Sequence, residues 1–133
     1  MKIIVTGGAG FVGTNLIKRL HSGGHSVISF DNYSTGLKSN HIEGVTYIDT
    51  DIRCIPKKSK HFWADIDMVY HLAAIARIPP SFKRPEDYIQ TNFNGTYEVV
   101  KFCVQKPIYI LKGFGRRYYN IIFRALWIAI VNN

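Results

Sequence analysis

Cysteine is scarce. Cys54 and Cys103 are the only two in 133 residues, and they form neither a Cys-x-x-Cys pair nor a metal-ligand spacing. A disulfide scaffold is therefore not expected. No run reaches the roughly 18 uncharged apolar residues that a membrane-crossing helix needs, so no membrane partner is expected. The opening stretch, Met1 to Gly13, is cut by four glycines and does not read as a secretory signal. The eleven glycines show no period, which excludes collagen. No serine follows Ser81, no threonine follows Thr96 and no acidic residue follows Glu98. These absences point to a reducing, cytoplasmic setting and to a carboxy-terminal stretch unlike the rest.

What is present is ordinary for a folded domain. Apolar residues make up 47% and charged residues 20%, which excludes a mostly disordered chain. A chain of this length buries about two-thirds of its unfolded surface, enough for one core. Lys and Arg number 17 against 9 Asp and Glu, a net of +8. Residues 1–105 carry 12 of the bases and all 9 acids, a net of +3; Lys106, Lys112, Arg116, Arg117 and Arg124 give residues 106–133 a net of +5. The chain thus divides into a domain over 1–105 and an atypical basic, aromatic-rich tail over 106–133. Arg116-Arg117 with Tyr118-Tyr119 could stack on single-stranded nucleic acid. No nucleic-acid motif accompanies them, so nucleic acid is not the expected partner.

Along the chain, Lys2–Thr6 reads as a buried strand and Phe11–His21 as a helix with the stripe Phe11, Val12, Leu16, Ile17 and Leu20. Gly23-Gly24 ends that helix. His25–Phe30 reads as a second strand, Val45–Asp49 as a third and Asp67–Leu72 as a fourth; residues 52–65 are ambiguous. Pro85, Glu86 and Asp87 start a helix whose stripe is Ile89, Phe93, Tyr97, Val100 and Val104, stopped by Pro107. A fifth strand over 107–111 is possible, and Tyr118–Val131 is apolar on nearly every side. This alternation is that of an α/β domain with a parallel sheet.

Between the first strand and helix lies Thr6-Gly7-Gly8-Ala9-Gly10-Phe11-Val12-Gly13. It reads as G-x-G-x-x-G through Gly8, Gly10 and Gly13, or as G-x-x-G-x-x-G through Gly7, Gly10 and Gly13. In either reading an early glycine allows the tight turn, Gly10 lets a pyrophosphate approach the backbone, and Gly13 allows close helix packing. The free amides and dipole of the helix start then hold the anion. Asp31 lies 18 residues after Gly13, near the spacing of about 20 at which a carboxylate accepts from the adenosine ribose hydroxyls. It would repel a 2′-phosphate and favour NAD over NADP, a preference that nearby Lys38 weakens.

Those glycines, with Asp31-Asn-Tyr-Ser-Thr-Gly36, Asp51-Ile52, His71-Leu-Ala-Ala74, and Pro85 followed by Tyr88, Asn92, Gly95 and Thr96, resemble the extended short-chain dehydrogenase/reductase family. Within it they are most similar to NAD-dependent nucleotide-sugar epimerases and dehydratases of the UDP-glucose 4-epimerase type. The resemblance covers about residues 1–105 and implies an incomplete Rossmann-type, doubly wound parallel sheet binding NAD. It further implies that Gly7, Gly8, Gly10, Phe11, Val12 and Gly13 surround the pyrophosphate. Asp31 and Asn32 hold the ribose, with Tyr33, Ser34, Thr35 and Gly36 on the same side. Asp51 and Ile52 meet the adenine. Leu72, Ala73, Ala74 and Ala76 line the path to the nicotinamide, and Thr91 lies near the pyrophosphate or the nicotinamide ribose. Members of the family are often homodimers.

The chain departs from the family after about Gln105. The resemblance calls for a Ser or Thr after the fifth strand and a Tyr-x-x-x-Lys on the next helix, and neither follows. Tyr97-Glu-Val-Val-Lys101 has the pattern but precedes the fifth strand, so no catalytic residue is assigned. The tail is expected to arise from truncation or an altered reading frame. The expected role is the NAD-binding amino-terminal portion of a nucleotide-sugar epimerase or dehydratase, inactive as a fragment; the alternative is a non-catalytic nucleotide-binding or partner module. A nucleotide-sugar partner requires the missing lobe. The five histidines lack metal spacing, His71 reads as structural, and both cysteines read as buried fillers.

Overall fold

The computed structural model describes residues 1–57, 65–105 and 108–112. Strand β1 (Lys2–Thr6) leads through the glycine turn into helix α1 (Phe11–Ser22), then β2 (Ser26–Asp31) and β3 (Thr46–Asp49). A 3₁₀ segment at Ile52–Lys57 precedes β4 (Met68–His71) and the short helices α2 (Ile78–Lys83) and α3 (Pro85–Tyr88). A π-helical segment, Ile89–Gly95, joins α3 to α4 (Thr96–Gln105), and β5 (Tyr109–Lys112) follows. The expected tail beyond Lys112, with its Arg and Tyr pairs, and Lys58, Lys60, Lys106 and Pro107 lie outside the described residues.

The five strands form one parallel sheet in the order β3-β2-β1-β4-β5. The chain builds outward from β1 to β3, then crosses back to place β4 on the other side of β1. This reversal opens a crevice at the carboxyl ends of β1 and β4, where open α/β sheets bind ligands.

Period-two alternation assigns the two faces. Ile3 and Val5 of β1 pack with Ile17 of α1 and Val27 on one face; Ile4 packs with Ile28, Phe30, Val69, Val99 and Phe102 on the other. Each buried aliphatic side chain contributes about 1.5–3 kcal/mol of transfer free energy, so both helices are held chiefly by these faces. In α1 only Ile17 of the expected stripe is fully buried; Leu16 and Leu20 are half-buried, while Phe11 and Val12 are exposed.

The helix from Pro85 differs from expectation. Its inward row is Gly95, Val99, Phe102 and Cys103, with Val100 alongside. The row Ile89, Phe93, Tyr97 and Val104 faces outward, and Phe93 and Tyr97 are 59% and 60% exposed. The cause is close packing at Gly95, where an added Cβ would lie 2.4 Å from Ile52 Cδ1. Thr96 and Asn92 also turn inward, to partners on His71 and Ile75. Both rows are apolar, so periodicity alone cannot choose between them. Cys54 is a second correction: the 3₁₀ segment turns it outward, while Ile52 and Ile55 point in. Cys103 is buried, and burial pushes its thiol pKa up to about 12.

Candidate nucleotide site

The crevice is a cavity of about 290 Å³ at the ends of β1, β2 and β4. Its floor is the glycine turn. Gly7 adopts the left-handed region at φ 72° and donates its amide to Phe30 O at 2.7 Å, so the chain leaves β1 while still tied to β2. A Cβ at Gly7 would lie 2.8 Å from Ala73 N, so the turn also touches the segment after β4. Thr14 Oγ1 donates to Gly10 O at 2.8 Å and steadies the turn from the helix side.

Helix α1 begins at Gly10 without a side-chain cap or an acidic residue in its first turn. The first intrahelical bond is Thr14 N–H to Gly10 O at 2.9 Å. The amides of Phe11 and Val12 therefore precede any helical acceptor, and the positive end of the dipole is left to an anion. An added Cβ at Gly10 would meet only Gly7 O, at 3.4 Å. The cradle is open where a diphosphate would have to approach, and it fits such a group.

Asp31, the last residue of β2, is 8% exposed. Its Oδ2 accepts from Ala9 N–H at 2.9 Å and its Oδ1 from Tyr33 N–H at 2.8 Å. The carboxylate thus also braces the glycine turn, a role that sequence reasoning did not find. A carboxylate has about four acceptor positions, so capacity for ribose hydroxyls remains. Asp51, just past the end of the neighbouring β3, also lines the cavity and accepts Nε of Arg53 at 2.9 Å and Nη2 at 2.8 Å. The Arg53 side-chain hydrogen bond holds the Asp51 carboxyl below its usual range, so it is ionised at neutral pH.

The wall brings together Gly7, Gly10, Phe11, Val12 and Gly13 from the turn and helix, and Asp31, Asn32, Ser34 and Thr35 from the segment after β2. Asp51, Ile52, Leu72, Ala73, Ala74, Ala76 and Thr91 complete the predicted set on it. Three predicted residues stand off the wall. Gly8 packs beneath it, where a Cβ would lie 2.1 Å from Ser29 Oγ. Tyr33 takes a positive φ of 54° and points its hydroxyl to His41 Nε2 at 2.9 Å. Gly36 packs on Ala9. Phe30, Thr50 and Ile75 line the cavity but carry no motif signal. Tyr97 and Lys101 are not on the wall; Lys101 instead lies 3.7 Å from Glu98 on the surface.

Lys38 Nζ lies 5.2 Å from the centre of the Tyr33 ring, off the cavity wall, and among the described residues no lysine or arginine is on that wall. The basic neighbour expected to weaken NAD preference therefore does not reach it. Wild type is expected to prefer NAD to NADP. Asp31→Asn is expected to weaken NAD by roughly 10- to 100-fold, the scale of a lost hydrogen bond to a charged group, and to narrow the NAD/NADP ratio. Paired titrations check this; equal wild-type affinities would rule out the discrimination.

A parallel sheet with its crevice at the topological reversal, a glycine turn and an acid ending β2 defines a Rossmann-type dinucleotide-binding domain. The NAD dependent epimerase/dehydratase family model matches residues 3–113, and the chain belongs to that family. A UDP-N-acetyl-alpha-D-glucosaminuronate decarboxylase from Bacillus cytotoxicus is 34% identical over 106 residues, covering 78% of this chain and 33% of that protein. A UDP-glucose 4-epimerase from Thermotoga maritima, solved with UDP-glucose, superposes with TM-score 0.79 at 28% identity over 84% of this chain and 37% of its own. A Thermus thermophilus UDP-glucose 4-epimerase, solved with NAD, gives TM-score 0.74 at 30% identity over 81% of this chain and 35% of its own. The chain spans about a third of the length of these relatives. No helix among the described residues is long and apolar enough to cross a membrane. Nor do three His, Cys, Asp or Glu side chains among them converge on a metal position.

Proposed function

We propose that this chain is the NAD-binding portion of a nucleotide-sugar epimerase or dehydratase and does not turn over sugar by itself. The observation that carries this reading is the single cavity wall joining an uncapped helix start, the Gly10 opening and the Asp31 and Asp51 carboxylates. The amides at the start of α1 hold the pyrophosphate. Asp31 and Asn32 orient the adenosine ribose, and ionised Asp51 accepts from the adenine amino group beside Ile52. Leu72 to Ala76 and Thr91 guide the nicotinamide end and keep water from it. When bound, NAD supplies a hydride acceptor and donor for a sugar hydroxyl carbon. Among the described residues no Tyr-x-x-x-Lys pair is on the cavity wall to exchange the proton: no Ser or Thr follows Thr96 in the sequence, and exposed Tyr97 and Lys101 do not line the cavity.

A second reading, a non-catalytic partner module, is favoured by the exposed row Ile89, Phe93 and Tyr97. Calorimetric titration of NAD into the 133-residue chain, followed by a UDP-sugar turnover assay, is expected to give binding without epimerisation. Absence of NAD binding overturns the nucleotide assignment. Measurable epimerisation overturns the claim that the chain lacks its proton-transfer group and dismisses the non-catalytic module with it.

A further inference from the structure

Behind the cavity wall lies a set of buried and half-buried polar side chains that the proposed chemistry does not use. His71, at the end of β4, is fully buried, as is Thr6 at the end of β1. His71 Nδ1 is 2.7 Å from Thr6 Oγ1, and His71 Nε2 is 3.0 Å from Thr96 Oγ1. Thr6 Oγ1 accepts from Ala73 N–H at 3.2 Å and, shared with the Thr6 carbonyl, from Leu72 N–H at 3.2 Å. Thr96 Oγ1 donates to Asn92 O at 2.7 Å. Asn92 then closes on Ile75 twice, accepting its N–H at 2.8 Å and donating Nδ2 to its carbonyl at 2.9 Å.

The contacts around Thr6 Oγ1 assign the ring proton of His71. The Thr6 hydroxyl oxygen receives amides, so its own hydrogen is left for His71 Nδ1, which must be the unprotonated nitrogen. The ring proton then sits on Nε2 and is donated to Thr96, whose hydroxyl hydrogen goes on to Asn92 O. The circuit starts and ends on one segment. It leaves Leu72 and Ala73, crosses Thr6, His71, Thr96 and Asn92, and returns to Ile75. Leu72, Ala73 and Ile75 line the cavity; Thr6, His71, Thr96 and Asn92 do not.

We propose that His71, held as the neutral Nε2–H tautomer between Thr6 and Thr96, is a positioning residue that keeps the Leu72–Ile75 wall in its ligand-binding shape through the hydrogen bonds that join Thr6, His71, Thr96 and Asn92 to that segment. The proposal rests on the nucleotide reading of the cavity. The π-helical segment has a part in it, because Asn92 lies in that segment and Thr96 follows it directly. Such segments inside α-helices are frequent at functional sites.

The test compares wild type, Thr96→Val and Thr96→Ser in the full chain. Valine keeps the shape but removes the Thr96 oxygen that faces His71 Nε2; serine keeps it. The valine variant is expected to bind NAD roughly tenfold more weakly and to lose hydrogen-exchange protection at the Ala73 and Ile75 amides. The serine variant is expected to stay within about twofold of wild type, since the hydrogen bond survives. Nitrogen-15 spectra of the wild-type ring, assigned by the signal lost in His71→Asn, are expected to show Nδ1 bare and Nε2 protonated. A protonated Nδ1 overturns the proposal, and this measurement stands even where the valine variant does not fold. Unchanged affinity and unchanged protection in a folded valine variant also overturn it. If wild type fails to bind NAD while the exchange difference and the tautomer hold, the nucleotide reading falls and the circuit stands.

Discussion

Gly10→Val is expected to cripple NAD binding while leaving the protein folded. Gly10 has φ −79° and ψ 171°, extended backbone that any residue adopts. An added Cβ finds one neighbour, the Gly7 carbonyl, at the ordinary distance of 3.4 Å. The fold therefore tolerates a side chain there, with about 1 kcal/mol lost for valine at a helix N-cap. That loss lowers the melting temperature by roughly 4 °C. The nucleotide does not tolerate it. Gly10 lines the cavity at the start of α1, and two branched methyl groups would hold a phosphate away from the Phe11 and Val12 amides. Two charge-assisted hydrogen bonds lost together weaken binding by on the order of 100-fold or more. Calorimetry gives the affinity and a circular-dichroism melt gives the folding. NAD affinity within twofold of wild type in a folded variant would sink the pyrophosphate assignment.

The elements around that glycine were legible because their signals are local. A β-branched run, three spaced glycines and a helical stripe lie within 20 residues, and an acid at the next strand end completes the pattern. The parallel sheet followed from the alternation. What the sequence hid depends on contacts between distant segments. Phe30, Thr50 and Ile75 reach the cavity only because the four strands β3, β2, β1 and β4 end side by side. The bracing of the turn by Asp31 needs Ala9 of another element beside it. Tyr33 stands next to two cavity residues, yet one positive φ turns its ring to His41. The helix at 85–105 carries two apolar rows, and the choice between them is made by Gly95 against Ile52, 43 positions away. Residues with rigid chain-local consequences could be placed from sequence; residues whose role is set by what packs on them could not.

Gly13→Ala has the opposite outcome from Gly10→Val, three residues away. A Cβ at Gly13 would lie 2.2 Å from the Gly7 carbonyl oxygen and 2.6 Å from Gly8 Cα. Both are backbone atoms, so no side chain can swing aside. The turn cannot retreat either: Gly7 is already in close contact with the Ala73 backbone, and Gly8 with Ser29 and Ile17. One methyl group thus has to separate α1 from β1, taking Ile17 out of its packing with Ile3 and Val5. The cost lies at or above the upper end of the roughly 1–3 kcal/mol typical of overpacking. It amounts to a large fraction of the 5–15 kcal/mol that holds a domain together. The melting temperature is expected to fall by about 10 °C or more, or the protein to accumulate in insoluble form. Added NAD should recover little of this, because the clash distorts the amides that would bind it. The two variants measured side by side separate a glycine kept for the ligand from a glycine kept for the fold. A Gly13→Ala protein melting within about 2 °C of wild type would show that the turn and helix are not packed as closely as these contacts require.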